Sequence, residues 1–188
     1  MIAGNAGPGL PTTNAAYLRQ ITTGMAAFVA VFNLSFNGPA QLAASTYYGA
    51  ANPVANNSAT GNFAFAMALD SSGNPWIAGQ SFTNNLPTTP NAYLGSIPAL
   101  NPNCGGGTLN SVAYFAKLSA DLTALAAASY LSGQTANVAC SEYAHAIALD
   151  ASGNVYVAGT TGSSAFPQPS GYFKKPIRQE RMRISWPR

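Results

Sequence analysis

The sequence predicts an all-β fold, an incomplete β-propeller of about two four-stranded antiparallel blades. Three observations predict it. The 188 residues include 18 Gly and 13 Pro spread along the chain, with 47% hydrophobic and only 7% charged residues, which speaks against a helical bundle or a charge-laced coiled coil. The string Ala66–Gly79 recurs as Ala146–Gly159 at a constant offset of 80 residues, and serial repetition is the mark of an architecture built from stacked units. Within the repeated blocks large and small residues alternate with period two, as in Phe65, Met67, Leu69 against Ala64, Ala66, Ala68, and His145, Ile147, Leu149 against Ala144, Ala146, Ala148. That period belongs to strands, with the small-residue face open to close approach by a second sheet.

Residues 1–49 read as a partial first blade. Ile2-Ala3-Gly4 matches Ile77-Ala78-Gly79 and so corresponds to the end of a second strand. Leu10-Pro11-Thr12-Thr13 matches Leu86-Pro87-Thr88-Thr89. Phe28–Phe32 matches Tyr114–Leu118 as a third strand, and Ser45–Tyr48 matches Ala128–Leu131 as a fourth. Residues 50–133 read as a complete blade, with strands near 64–69, 75–80, 112–118 and 124–131 and a long inserted crossing from Leu86 to Asn110. Its first two strands are joined by Asp70-Ser71-Ser72-Gly73-Asn74. Here the Asp side chain can accept from the backbone two residues on, and Gly supplies a positive φ.

Residues 134–173 read as the first half of a third blade. Asp150, Gly153 and Asn154 repeat the turn, and Phe166-Pro167 repeats Leu86-Pro87. Residues 174–188 form a basic tail that reads as a disordered terminus. The total is nine strands, whereas a closed propeller needs roughly four to eight blades. The expectation is a fragment of a longer propeller protein, with the tail read as out-of-frame sequence; the competing expectation is a ring assembled from identical chains.

The net charge of +3 hides an uneven distribution. The tail holds Lys174, Lys175, Arg178, Arg181, Arg183 and Arg188 against Glu180. The rest holds Arg19 and Lys117 against Asp70, Asp121, Glu142 and Asp150. The body lacks the clustered cations that nucleic acid demands, so nucleic acid is not an expected partner. No apolar run approaches the ~20 residues of a membrane-spanning helix. The opening Met-Ile-Ala-Gly-Asn-Ala-Gly-Pro-Gly has neither a charged start nor an apolar stretch, so it does not read as a secretory signal. Cys104 and Cys140 are too few for a disulfide framework and lack zinc-type spacing. They suit one bridge in an oxidising compartment or two free thiols in a reducing one.

The ordered blocks Ala-Leu-Asp-Ser-Ser-Gly-Asn-x-Trp-Ile-Ala-Gly, Leu-Pro-Thr-Thr-Pro, Tyr-Phe-Ala-Lys-Leu and Ser-Tyr-Leu together resemble the SBBP repeat, a bacterial β-propeller repeat family, over roughly residues 2–173. The resemblance implies a secreted or cell-surface protein with a propeller fold. It carries no catalytic motif to transfer. Repeats near 80 residues are longer than the family's usual length, because of insertions at about 95–111 and 132–143.

Candidate chemistry is sparse. His145, the single histidine, occupies the register of Phe65. With Glu142 three residues before it, it could serve as a base or ligand, but no nucleophile stands at a matched spacing, and a packed or edge-exposed strand histidine is the preferred reading. Cys140, Glu142, His145 and Cys104 would surround a metal only if two long loops converged, so no metal site is expected. Asp70 and Asp150 each bring one carboxylate to a turn. Calcium usually takes more, so turn capping is preferred. Gly105-Gly106-Gly107 lacks the Lys-Ser/Thr of a phosphate loop. Aromatic residues in strands serve packing by default, leaving Tyr93 in the crossing as a contact for a carbohydrate or protein ligand. No catalytic residue and no cofactor is expected. The leading reading is a non-catalytic structural or binding module whose loops make the contacts. The alternative is a remnant of a propeller enzyme, of hydrolase or lyase type, whose active site lay in blades outside this chain.

Overall fold

The computed structural model describes residues 1–50, 61–97, 111–133, 142–162 and 166. It is all-β. Nine strands occur among these residues: β1 Ile2–Ala6, β2 Ala26–Phe32, β3 Leu42–Tyr48, β4 Asn62–Leu69, β5 Pro75–Ser81, β6 Val112–Leu118, β7 Leu125–Leu131, β8 Tyr143–Leu149 and β9 Val155–Thr160. They form three antiparallel sheets, of order β1-β2-β3, β4-β5-β6-β7 and β8-β9. Each sheet is a meander, since every strand pairs with its sequence neighbour. This is the arrangement of a partial propeller. The tail, Cys104 and Cys140 lie outside the described residues.

The register repeats with the sequence. Met67 opposes Ile77 and Leu69 opposes Pro75; Ile147 opposes Val157 and Leu149 opposes Val155. In the first sheet Ile2 opposes Ala30 and Gly4 opposes Phe28, where Ile77 opposes Ala116 and Gly79 opposes Tyr114 in the second. Even the irregularities recur. β3 carries an extra residue where Val31 faces Ala44 but Phe32 faces Leu42. β7 does the same where Lys117 faces Ala127 but Leu118 faces Leu125.

One expectation needs correction. Strict alternation along Phe65, Met67 and Leu69 fails because Ala64 pairs with Gly79 while Ala66 pairs with Ala78, leaving Phe65 as the extra residue of a β-bulge. The same bulge places His145 between Ala144, paired with Gly159, and Ala146, paired with Ala158. A bulge lets two residues oppose one and re-aims the side chain. Phe65 is therefore exposed, whereas Ala64 is buried and Met67, beyond the bulge, packs against the core.

Neighbouring sheets pack face to face, with β4 against β1 and β2, and β8 against β4, β5 and β6. The main core lies between the first two sheets and includes Val29, Tyr48, Ile77, Val112, Tyr114, Leu118 and Tyr130. The rings of Tyr48 and Tyr114 meet at 5.5 Å. Each such side chain, fully removed from water, contributes about 1.5–3 kcal/mol. At the next junction the buried residues are Ala78, Ala113 and Ala144, with Phe115, Leu131, Ile147 and Val157 around them. Small side chains there let the backbones of the two sheets come close.

The segments after β1 and β5 run back along β3 and β7. Thr13 N–H donates to Ser45 O at 3.1 Å and Tyr47 N–H to Leu18 O at 3.0 Å. In the next unit Thr89 N–H donates to Ala128 O and Tyr130 N–H to Leu94 O, both at 3.1 Å. These straps satisfy backbone groups on the outer strands, which would otherwise be open for pairing with another chain.

Candidate functional site

The two hairpin turns are built alike. Asp70 Oδ1 accepts from the backbone N–H of Ser72 and of Asn74, both at 2.9 Å, and the Asn74 side-chain amide reaches Asp70 Oδ2 at 2.9 Å. Asp150 repeats these bonds with Ser152 and Asn154 at 2.9 Å, and Asn154 Nδ2 reaches Oδ2 at 2.7 Å. Gly73 and Gly153 hold φ of 80° and 84°, a region that L side chains enter at a cost. The differences lie in the outer partners. Lys117 Nζ meets Asp70 Oδ2 at 2.8 Å and also lies 5.4 Å from the centre of the Trp76 ring. At the other turn Tyr156, which stands where Trp76 does, donates its hydroxyl to Asp150 Oδ2 at 3.0 Å. The Lys117 ammonium and then the Asn74 amide hold the Asp70 carboxyl well below the usual range. The Asn154 amide leads in lowering Asp150. Both carboxylates are thus committed to their turns.

His145 and Phe65 project from equivalent bulges on adjacent sheets. Their rings stack at 6.0 Å, and Tyr143 stacks on the other partner of the row, His145, at 5.6 Å with nearly parallel planes. His145 is exposed. Glu142 is not beside it in function: it is fully buried at the root of β8. Its N–H donates to Ser111 O at 3.0 Å, and Thr161 Oγ1 donates to Glu142 Oε1 at 3.0 Å. Burial pushes its carboxyl up, against the smaller opposing effects of Ser132, Thr161 and Gly133.

Tyr93 is exposed and borders a groove of about 340 Å³ between the strap and the outer strand, with Thr89, Asn91, Phe115, Ala127 and Ser129 among its walls. The groove exists because Thr89 and Leu94 anchor the strap at two points along β7, so the residues between them bow outward.

Three sets of structural residues escaped the sequence reading. The Tyr130 hydroxyl accepts from Leu86 N–H at 2.8 Å and donates to Thr83 O at 3.1 Å; Tyr47 accepts from Leu10 N–H at 2.8 Å and donates to Gly7 O at 2.6 Å. Each clamps a strap to its sheet, and burial pushes the Tyr130 hydroxyl up to about 12. A Cβ on Gly79 or Gly159 would overlap the carbonyl of Phe63 or Tyr143 across the bulge. Asn62, which heads β4 as Glu142 heads β8, takes hydrogen bonds on Oδ1 from Ser81 Oγ at 2.6 Å and Thr83 Oγ1 at 3.1 Å. The signal for all three was present, because each pair recurs at the repeat offset.

Serial meander sheets, packed face to face with equivalent bulges, turns and straps, define a β-propeller repeat chain. Residues 143–167, the stretch that holds β8 and β9, match the model of the SBBP family, a beta-propeller repeat. No curated protein matches the chain at a significant level. Among the described residues no helix is long and apolar enough to cross a membrane.

Proposed function

We propose that this chain is a structural and binding module of a secreted or cell-surface bacterial β-propeller protein, without catalytic activity of its own. The observation that carries the reading is how the described ionisable groups are used. Asp70 with Lys117, Asp121 and Asp150 hold turns together. Glu142 is buried at the junction of two sheets with its carboxyl bonded to Thr161, and His145 stacks between Phe65 and Tyr143. Acid–base or nucleophilic catalysis needs at least two such groups aimed at one point, and these are dispersed over separate structural tasks.

Contacts then fall to side chains outside the ladders. The strap groove at Tyr93 offers an aromatic ring beside hydroxyl and amide groups in neutral surroundings. This combination suits the apolar face and hydroxyl rim of a neutral sugar. Affinity electrophoresis of the purified chain in gels carrying neutral polysaccharides tests the proposal. The expected result is retardation that Tyr93→Ala abolishes in a variant that circular dichroism shows to be folded. Migration unaffected by every polysaccharide would remove the carbohydrate reading, and release of reducing sugar by the chain would overturn its non-catalytic character.

A further inference from the structure

We propose that Glu142 is an acid-tightened clip between the second and third sheets: the β8–β9 hairpin docks firmly when this carboxyl is protonated and loosens when it is charged. The internal repeat supplies the control. Asn62 and Glu142 head equivalent strands, and both are fully buried. Each donates its backbone N–H across the sheet junction, Asn62 to Met25 O and Glu142 to Ser111 O, both at 3.0 Å. The side chains then diverge. Asn62 meets two hydroxyls on Oδ1 and stays neutral at every pH. Glu142 meets Thr161 on Oε1, with Ser132 and Gly133 also beside the carboxyl. Each side chain keeps one buried atom, Asn62 Nδ2 and Glu142 Oε2, without a well-formed partner among the described residues, so the difference that matters is that the carboxyl can carry charge.

The groups that face Glu142 are Ser111 before β6, Ser132 and Gly133 after β7, and Thr161 after β9. On its own strand the titratable neighbours are Tyr143 and His145. Asp70, Lys117, Asp121 and Asp150 stand at the far ends of their strands or in the turns there. No described cation therefore repays the desolvation of a carboxylate at this junction, and the neutral acid is the form that fits.

The sign follows. Burial raises the docked-state pKa above the ordinary 4.5, so the docked hairpin holds a proton that the released hairpin gives up. The contribution to docking is complete below the ordinary value and is lost as pH rises through the raised one. Within that window it falls by as much as about tenfold per pH unit, then levels off.

Hydrogen exchange on the full chain reads this directly, with each amide's rate normalised to its intrinsic rate at every pH from about 4 to 8. Protection of the β8 and β9 amides is expected to fall with rising pH, while that of β6 and β7 stays level. Glu142→Gln should hold the hairpin at its acid-level protection throughout. Asn62→Glu should create the same pH dependence at the junction of β4 with the first sheet. Parallel profiles for the native chain and Glu142→Gln would overturn the proposal, as would protection that increases with pH. If Glu142→Gln is unprotected at every pH, Asn62→Glu decides: a flat profile at the β4 junction overturns the clip, and a falling one upholds it.

Discussion

The β4–β5 and β8–β9 hairpins share a turn, a bulge and a register, yet they live in different surroundings. β5 is buried along nearly its whole length, enclosed by β4 and β6 in its sheet. β9 is largely exposed, with Val155 and Val157 half-buried and Ala158, Gly159 and Thr160 open. Identical local geometry at unlike burial shows where the conformation is encoded. The Asp–Gly–Asn turn and the bulge set the hairpin from within, and neighbouring strands add burial to a shape already fixed. In a repeat protein the stability of a unit is its own plus that of its interfaces, and these two hairpins separate the terms.

The largest expected effect comes from the bulge glycines. Gly79→Ala places a methyl group into the Phe63 carbonyl in the middle of a four-stranded sheet. The strands must separate or lose the bulge, at a cost of about 3 kcal/mol or more. Gly159→Ala makes the same collision with Tyr143, but in a hairpin that carries less of the core. Denaturant unfolding should show a lowered midpoint for Gly79→Ala. Gly159→Ala should leave the main transition in place and strip hydrogen-exchange protection from β8 and β9 alone. Equal global losses would mean that the two hairpins unfold as one unit.

The tyrosine clamps give an intermediate effect and a sharper contrast. Tyr130→Phe leaves the buried Leu86 N–H without its hydroxyl partner, while the Thr83 carbonyl keeps Ser81 Oγ at 2.9 Å; the unpaired buried donor should cost about 1–3 kcal/mol. Tyr47→Phe removes the same pair of bonds, but Gly7 and Leu10 are only half-buried. Water can replace the lost partner there, so the loss should be about 1 kcal/mol. Proteolysis should cut the Leu86–Leu94 strap sooner in Tyr130→Phe than in the native chain. Comparable stability losses would show that burial does not set the value of the clamp.

Which features were legible follows from how each is encoded. Strand identity and order were legible because period-two blocks recur in one order, and the chain forms strands at each of them. The turns were legible because Asp, Gly and Asn act within a few residues. The bulge was not, since Ala64-Phe65-Ala66-Met67 reads as perfect alternation; the extra residue is forced from the partner strand, where only glycine leaves room for a carbonyl. The role of Tyr47 and Tyr130 was hidden because their hydroxyls bond to backbone far away in sequence. Glu142 looked like a helper for His145 at three residues' distance. The bulge at His145 turns that ring outward while Glu142 is buried in the junction. Comparing each residue with its counterpart one repeat away, rather than with its sequence neighbours, would have exposed all three.

The smallest expected effect separates the two turns by their outer partners. Both carboxyls sit below the usual value of 3.8, so both favour the folded state at neutral pH. That contribution is present above the unfolded-state value and is lost as pH falls through the lowered folded one. Asp70 leans on the Lys117 ammonium first, and Asp150 on the Asn154 amide. A charge pair at the surface is screened by salt, whereas a neutral hydrogen bond is little affected. Asn in place of either Asp can still accept from the turn backbone. Asp70→Asn should therefore flatten the acid loss of thermal stability at low salt, by an amount that shrinks near about 1 M salt. Asp150→Asn should produce a smaller change, alike at both salt levels. A salt-independent effect at Asp70 would assign its lowered pKa to the turn amides it shares with Asp150, and the ion pair would then contribute nothing to telling the two hairpins apart.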